Sequence, residues 1–281
     1  MIKHVMIIGL GLIGGSLAKA IRKYTDINRI TAIDSNEDYI KDALSKGVIS
    51  DAYTKLDFKT DADIIFICTP VGKTIQVIEQ ILPYVKEKVI ITDVGSTKGI
   101  IMKQIKEIIP ENIFFIGGHP MAGNEKSGFS FSSEDLFLNA NYLLIPSDNV
   151  SESILNVLID GIVTKIGSAP IIMDYDFHDK VIGLISHLPH IISASITNFV
   201  NNECSDAIFY AAGGFKDTTR ISLSQSEIWC DIIFTNKDQI KQLLINYKKF
   251  INDFILLLDN DDIDSIQKFF DNAREYRSNI C

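Results

Sequence analysis

The sequence has few cysteines, and no two of them are spaced as a pair. The four of them, Cys68, Cys204, Cys230 and Cys281, lie far apart along the chain, and none forms a C-x-x-C motif. This distribution favours free thiols in a reducing cytoplasm over a disulfide framework.

Blocks of basic residues and long hydrophobic runs are also missing. The formal net charge is −9 and lysine and arginine form no stripe, so we do not expect nucleic-acid binding. A site for a small anion stays possible, because it can be locally positive inside an acidic protein. The apolar start MIKHVMIIGL is interrupted at once by glycines, so we expect neither a signal peptide nor a membrane span.

Strand and helix patterns alternate through the first part of the chain. Short apolar runs such as HVMII, ADIIFI and KVIITD are each followed by a segment of helical periodicity, and this alternation predicts an α/β domain whose sheet is mostly parallel. After about residue 173 the strand signal ends, so we predict domains at 1–173 and 174–281, the second of them all-helical. Its helices are predicted at 175–202, 203–212, 226–234, 236–259 and 262–278, with a kink in the first at Pro189.

A glycine motif, GLGLIG, follows the first predicted strand and opens a helix. Gly9, Gly11 and Gly14 have the G-x-G-x-x-G spacing, and Asp34 ends the second strand twenty residues beyond the last glycine. This context predicts a dinucleotide site, in which the helix N-terminus holds the pyrophosphate and Asp34 binds the ribose hydroxyl of NAD and repels the phosphate of NADP. The alternative is a turn with packing glycines. The expected cofactor contacts also include the residues between the glycines, Leu10, Leu12 and Ile13.

Two further strands end in polar turns at the sheet edge where α/β proteins bind ligands. The turn Thr69, Pro70 and Val71 is predicted to line the cofactor. Ser96, in DVGST, either faces the reacting centre and the cofactor or caps the next helix, and its position alone favours neither.

His119 lies in GGHPMAGNEKSGF at 117–129, which we predict to be a loop because of its glycines and lack of periodicity. An imidazole just beyond a strand at the ligand edge can reach a bound substrate, so we expect His119 to be catalytic. The alternative is a loop histidine bonded to a carbonyl.

Two more polar groups lie in the helical part. His187 and His190 are three residues apart on one helix face, but too few further ligands follow for a metal site, so we expect a polar pocket wall and no metal. Arg220, in GGFKDTTRIS, can bind a carboxylate with two parallel hydrogen bonds, or it can form a surface ion pair with Asp217.

Taken together, GLGLIGGSLA, TPV, DVGSTK, GGHPMAGNEKSG, SHLPH and GGFKDTTRIS resemble the prephenate/arogenate dehydrogenases of tyrosine biosynthesis, in that family's order. The resemblance implies a Rossmann-type domain followed by an all-helical dimerisation domain, and a cytoplasmic homodimer. It implies that prephenate and NAD give 4-hydroxyphenylpyruvate, carbon dioxide and NADH. The implied roles are a base for His119, a hydroxyl contact for Ser96, and substrate binding for His187, His190, Arg220, Asn124 and Glu125.

The resemblance also raises the questions of additional domains and of other possible activities. We expect neither an N-terminal chorismate mutase block nor a C-terminal βαββαβ regulatory domain, so tyrosine inhibition would act at the active site. Arogenate dehydrogenase, another NAD-dependent hydroxyacid dehydrogenase and a non-catalytic NAD sensor remain alternatives, and prephenate is the preferred substrate.

Overall fold

A computed structural model describes residues 2–123 and 126–280. Its centre is an eight-stranded sheet. The strands are β1 His4–Ile8, β2 Arg29–Ile33, β3 Asp51–Tyr53, β4 Ile64–Ile67, β5 Ile90–Asp93, β6 Phe114–Pro120, β7 Asn141–Pro146 and β8 Ala169–Ile172.

The strand order is β3-β2-β1-β4-β5-β6-β7-β8, and every pairing is parallel except β6 with β7. Strands β1, β4 and β5 are buried throughout, as expected for parallel strands that helices cover on both faces. The chain order reverses between β1 and β4, and in such sheets ligands bind at the carboxyl ends of the strands beside this reversal. The predicted mostly parallel α/β fold is confirmed.

Five helices follow the strands of the sheet, and two buried apolar clusters lie against it. One cluster contains Leu17 and Leu158, and the other contains Ile78 and Ile105. The helices are α1 Leu12–Tyr24, α2 Glu37–Ser45, α3 Thr74–Ile81, α4 Gly99–Ile108 and α5 Glu152–Leu158.

The segment around His119 differs from the prediction. His119 belongs to strand β6, where it pairs with Leu143 of β7, and the ladder continues to Pro120. The strand NIFFIGG, which the sequence predicts up to His119, includes His119 and Pro120, so the prediction of a loop was wrong for these two residues; the antiparallel partner β7 extends the strand. The short strand β3 was also not predicted; it has only three residues and is not buried.

The helical region begins with an interrupted helix. Helix α6, Tyr175–Ile182, continues into a π-helical turn at Gly183–His187, and α7, Leu188–Glu203, starts just before Pro189. The predicted helix 175–202 is therefore three segments, since a wider turn precedes the proline. Residues Ser205–Tyr210 form a 3-10 helix, and α8, Gly213–Thr219, and α9, Ser226–Thr235, follow.

The chain forms two compact units, Met1–Asn236 and Lys237–Cys281. In the second, α10, Lys237–Asp259, and α11, Ile263–Ser278, pack through Phe250, Phe254 and Phe269. The side chain of Asp262 accepts a hydrogen bond from the Ser265 amide and so caps α11. The domain boundary near residue 173 stays a prediction.

Candidate active site

The glycine turn between β1 and α1 has the shape that a dinucleotide needs. Gly9 has φ +100°, and a Cβ there would lie 2.7 Å from the carbonyl oxygen of Cys68, while a Cβ at Gly14 would overlap the carbonyl of Gly9. Around Gly11 the space is open to 4 Å. Gly11 is also the N-cap of α1 and makes no side-chain capping bond, so the first amides of the helix can bind phosphate.

Asp34 lies beside this turn, at the end of β2. Its carboxylate accepts hydrogen bonds from the amide of Leu10 at 2.5 Å and from that of Asn36 at 2.7 Å. The group is only partly buried, so it stays accessible to a ribose hydroxyl. Leu10 itself is fully buried, so that only its backbone can line the cofactor site.

The turn after β4 completes this edge of the sheet. The amide of Thr69 lies close to Gly9, and the Thr69 hydroxyl is buried and has no hydrogen-bond partner within the described residues. Val71, one residue beyond Pro70, borders Gly95, where a Cβ would lie 2.8 Å from its methyl group. The predicted cofactor turn therefore lies between the glycine turn and the segment that carries Ser96.

A buried ion pair fixes the turn that follows β5. The Lys98 ammonium donates to the carboxylate of Asp93 at 2.5 Å and to the carbonyls of Gly95 and Thr97 at 2.7 and 3.1 Å. Both charged side chains are completely buried. Burial lowers the pKa of Lys98, and the negative charge of Asp93 opposes that shift. This lysine closes the turn from within and holds Ser96 in place.

Ser96 does not cap helix α4. The amides of Lys98 and Gly99 donate instead to the two carboxylate oxygens of Asp179, each at 2.8 Å. Ser96 lines a cavity of about 400 Å³ at this edge of the sheet. The helix-cap alternative for Ser96 is therefore wrong, because the cap comes from a residue eighty positions away.

Arg220 and His190 line the same cavity as Ser96. His190 stacks on Trp229 with ring centroids 3.9 Å apart. Burial lowers the pKa of His190, and the nearby positive charge of Arg220 acts in the same direction. No ion pair joins Arg220 to Asp217 in residues 2–123 and 126–280, so the surface ion pair that the sequence left open does not form. Three of the predicted site residues are thus brought together.

His119 is 8% exposed and lies on β6 near this edge. Its Nδ1 is 2.9 Å from Nε2 of His178. Burial lowers the pKa of His119 well below its usual value, with the charges of His178 and Lys98 acting in the same direction. His119 is therefore neutral at physiological pH and can accept a proton.

His187 is more deeply buried than His190. The side chain is fully buried, and its Nδ1 is 3.1 Å from the amide nitrogen of Asn236. Burial lowers the pKa of His187 to about 4. A helix spacing of three does place His187 and His190 near each other, but only His190 reaches the cavity. The two other predicted substrate contacts, Asn124 and Glu125, lie outside the described residues.

Comparison with known proteins agrees with this geometry. The family model described as the prephenate dehydrogenase nucleotide-binding domain matches residues 17–171, and the model of the prephenate dehydrogenase dimerization domain matches residues 174–272. The chain belongs to the prephenate dehydrogenase family. The resemblance predicted from its motifs is confirmed, and the protein is an NAD-dependent dehydrogenase, as the glycine turn and Asp34 predicted.

Individual relatives are similar over nearly the whole chain. A prephenate dehydrogenase of Bacillus subtilis (strain 168) is 34% identical over 98% of this chain and 76% of its own length. The crystal structure of prephenate dehydrogenase from Aquifex aeolicus, in complex with hydroxyphenyl propionate and NAD+, is 28% identical and superposes with a TM-score of 0.93, covering 100% of this chain and 99% of that one. The Synechocystis arogenate dehydrogenase structure is 26% identical, with a TM-score of 0.87 over 99% and 100% of the two chains.

Several residues of the site were not predicted from the sequence. His178, Asp179, Lys98 and Asn236 form a buried polar cluster behind His119 and Ser96. The one available signal was the adjacent pair His178–Asp179 just after the last strand. In the described part of the chain no helix is long and apolar enough to cross a membrane, and no three or more histidine, cysteine or acidic side chains are grouped as metal ligands.

Proposed function

We propose that this protein catalyses the oxidative decarboxylation of prephenate by NAD. The observation that carries the proposal is one cavity lined by an arginine, a histidine and Ser96, at the sheet edge that also carries the glycine turn. An anionic ring compound fits this combination, because the cavity offers a guanidinium and polar groups within an otherwise acidic protein. The Bacillus subtilis relative, which bears the name prephenate dehydrogenase, supports the same substrate.

His119 is proposed to act as the general base. It takes the proton of the ring hydroxyl at Nε2, because Nδ1 is occupied by the bond to His178. The oxygen lone pair then forms a carbonyl as a hydride leaves the same ring carbon. The ring carboxylate departs as carbon dioxide, its bonding electrons make the ring aromatic, and the phenolate oxygen regains the proton from His119. The proton is thus held by the protein only during the reaction.

The remaining roles are assigned by position in the cavity. Ser96 is proposed to hydrogen-bond the ring hydroxyl and the nicotinamide side. Arg220 binds a substrate carboxylate through its planar fork, and His190, stacked on Trp229, forms the wall beside it. Asn124 and Glu125 remain proposed substrate contacts from the family's motif. His187 remains a proposed contact: it is fully buried, but its Nε2 has no hydrogen-bond partner within the described residues.

The cofactor site is proposed to be the edge formed by Gly9 to Gly14, Asp34, Thr69 to Val71 and Ser96. When bound there, NAD supplies the hydride acceptor. Gly11 leaves open space beside the first amides of α1, and Asp34 offers its carboxylate to the ribose. The buried hydroxyl of Thr69 is a further polar group for this site.

We also propose the larger organisation that the sequence predicted. Residues 1–173 would bind NAD, and residues 174–281 would complete the substrate site and form a homodimer. The match of residues 174–272 to a dimerization-domain model supports the dimer. The scattered cysteines, with Cys68, Cys204 and Cys230 unpaired, support a reducing cytoplasm.

An assay of NADH formation tests the substrate. The purified protein is given NAD or NADP with prephenate, with arogenate, and with a panel of hydroxyacids. The expected result is turnover of prephenate with NAD and little turnover of the hydroxyacids or with NADP. Arogenate turnover at higher kcat/KM would assign the Synechocystis-type substrate instead, and preferred turnover of a hydroxyacid would contradict the proposal.

A further inference from the structure

Behind His119 lies an unbroken line of hydrogen bonds that the proposed reaction does not itself require. Nδ1 of His119 is 2.9 Å from Nε2 of His178, and Nδ1 of His178 is 2.8 Å from the carboxylate of Asp179. His178 is completely buried and Asp179 nearly so. The two residues are adjacent in sequence but almost sixty positions from His119, so the fold alone brings the three together.

The carboxylate determines the direction of every bond in this line. It can only accept hydrogen bonds, so Nδ1 of His178 must donate to it. Burial lowers the pKa of His178, which keeps that ring neutral and leaves its Nε2 as an acceptor. Nδ1 of His119 must therefore donate to His178. The lone pair of His119 is then on Nε2, the nitrogen that a base needs toward the substrate.

Asp179 is itself held rigidly. Besides His178, its two oxygens accept the amides of Lys98 and Gly99 at the start of α4. Its backbone carbonyl accepts a bond from the amide of Asn236, which also reaches Nδ1 of His187. Both oxygens are fixed by the helix start, so the carboxylate cannot rotate away from His178.

We propose that Asp179 and His178 are positioning residues for the base: they hold His119 as the Nδ1–H tautomer and stabilise the imidazolium it forms while it holds the substrate's proton. The inference rests on the proposed role of His119. The substrate's own proton enters at Nε2 of His119 and leaves from the same atom to the phenolate oxygen. No other proton is needed. The negative charge of Asp179 acts through the polarised ring of His178.

The other titratable groups near this line of hydrogen bonds are either paired or neutral. Lys98 faces His119 and His178 from the start of α4, but its ammonium is paired with Asp93. His187 faces them from the π-helical turn and is neutral at physiological pH. Asp179 is therefore the anion that contacts the histidine pair directly, which makes it the side chain to change.

The first test is Asp179→Asn. Asparagine removes the negative charge that stabilises the imidazolium, and only one of the two oxygens that now accept from Lys98, Gly99 and His178 remains an acceptor. We expect kcat to fall roughly 10²- to 10⁴-fold at neutral pH, while KM and the Kd of NAD change less than about threefold. NMR of ¹⁵N-histidine-labelled protein should show His119 as the Nδ1–H tautomer in the wild type.

A matched control exists at the opposite edge of the sheet. His4 is buried, and its Nδ1 lies 2.8 Å from the carboxylate of Asp61, with its Nε2 2.8 Å from Thr31. Asp61→Asn makes the same change to a histidine–aspartate pair away from the cavity, and it should leave kcat within about twofold.

A second pair of variants keeps the proposal testable if Asp179→Asn does not fold. His178→Gln supplies an oxygen that can accept from His119, whereas His178→Leu is apolar and supplies none. We expect the glutamine variant to retain at least about tenfold more kcat than the leucine variant, although leucine suits a buried site better. A purely structural His178 predicts the reverse order, which would overturn the proposal.

Two further results would also overturn it. One is near-normal kcat in folded Asp179→Asn, and the other is a wild-type protein in which His119 is the Nε2–H tautomer. Failure of the proposed function is distinguishable, because it appears as wild-type protein that does not oxidise prephenate, whereas the tautomer of His119 is measured without substrate.

Discussion

Arg220 is the side chain whose role can be isolated most cleanly. It lies at the exposed side of the cavity, so replacing it should not disturb the core. Arg220→Ala should raise KM for prephenate by roughly 30- to 1000-fold, because a charged bidentate contact contributes about 2–4 kcal/mol. NAD affinity should be nearly unchanged. Arg220→Lys should recover only part of the loss, since lysine lacks the planar fork.

Steady-state kinetics and NAD titration check this prediction. Arg29→Ala is a suitable control, because Arg29 is also exposed and pairs with Asp51 and Asp61 at the amino end of β2. A normal KM in Arg220→Ala would show that this arginine does not bind substrate.

Sequence reasoning at the level of single residues worked where the relevant neighbours are local. The glycine spacing and Asp34 were readable because turn, helix start and strand end follow one another in the chain. The cap of α4 could not be predicted, because Asp179 is eighty positions from Gly99 in the sequence. The partner of His119 could not be predicted either, because His178 is fifty-nine positions away. No periodicity or spacing rule encodes such contacts.

At the level of elements, two glycines of the same turn are expected to have different roles, one in cofactor binding and the other in folding. Gly11 has φ −70° and open space around it, so alanine fits without strain, but its methyl group occupies the space that we assign to the pyrophosphate. Gly11→Ala should fold normally and bind NAD at least about tenfold more weakly. Gly14→Ala should instead destabilise the fold by roughly 1–3 kcal/mol or more, because its Cβ overlaps the Gly9 carbonyl.

Urea unfolding without cofactor and NAD titration distinguish the two variants. Gly47→Ala is a control for glycine replacement away from the site, although its φ of +66° adds local strain. Normal NAD affinity in Gly11→Ala would mean that the dinucleotide does not approach the backbone there.

The elements themselves were predicted unevenly. Alternating apolar runs identified the parallel strands, because burial on both faces gives each strand a continuous hydrophobic sequence. His119 was placed in a loop because GGHP has no such run. Its pairing with Leu143 comes from the antiparallel strand β7, which lies 24 positions further along the chain. The π-helical turn at Gly183–His187 has no sequence signal that we can identify.

For the whole molecule, the histidines predict the response to acid. His119, His178 and His187 are buried, and burial lowers the pKa of each below the ordinary 6.5. The unfolded chain therefore binds these protons as the pH falls through about 6.5, while the folded chain does not. Stability is fully present above that pH and declines below it, by at most about 1.4 kcal/mol per pH unit for each histidine that stays neutral.

Urea unfolding of the cofactor-free protein from pH 7.5 to pH 5 would measure this decline. The carboxylates with lowered pKa values, such as Asp61 and Asp63, respond at lower pH and add little in this range. Constant or increasing stability on acidification would show that the three histidines are not held neutral.

The central claim is that His119 is the base, and kcat against pH for wild type and His119→Asn tests it most directly. A base must be neutral, so wild-type kcat should rise with pH through a histidine ionisation and then level off. His119→Asn keeps a hydrogen-bonding group but cannot take the proton, so kcat should fall roughly 10²- to 10⁴-fold and lose this rise, while KM changes far less. Substrate deuterated at the hydroxyl-bearing carbon establishes that hydride transfer limits kcat. A variant with near-normal kcat, or a wild-type kcat that shows no such ionisation under those conditions, would contradict the account.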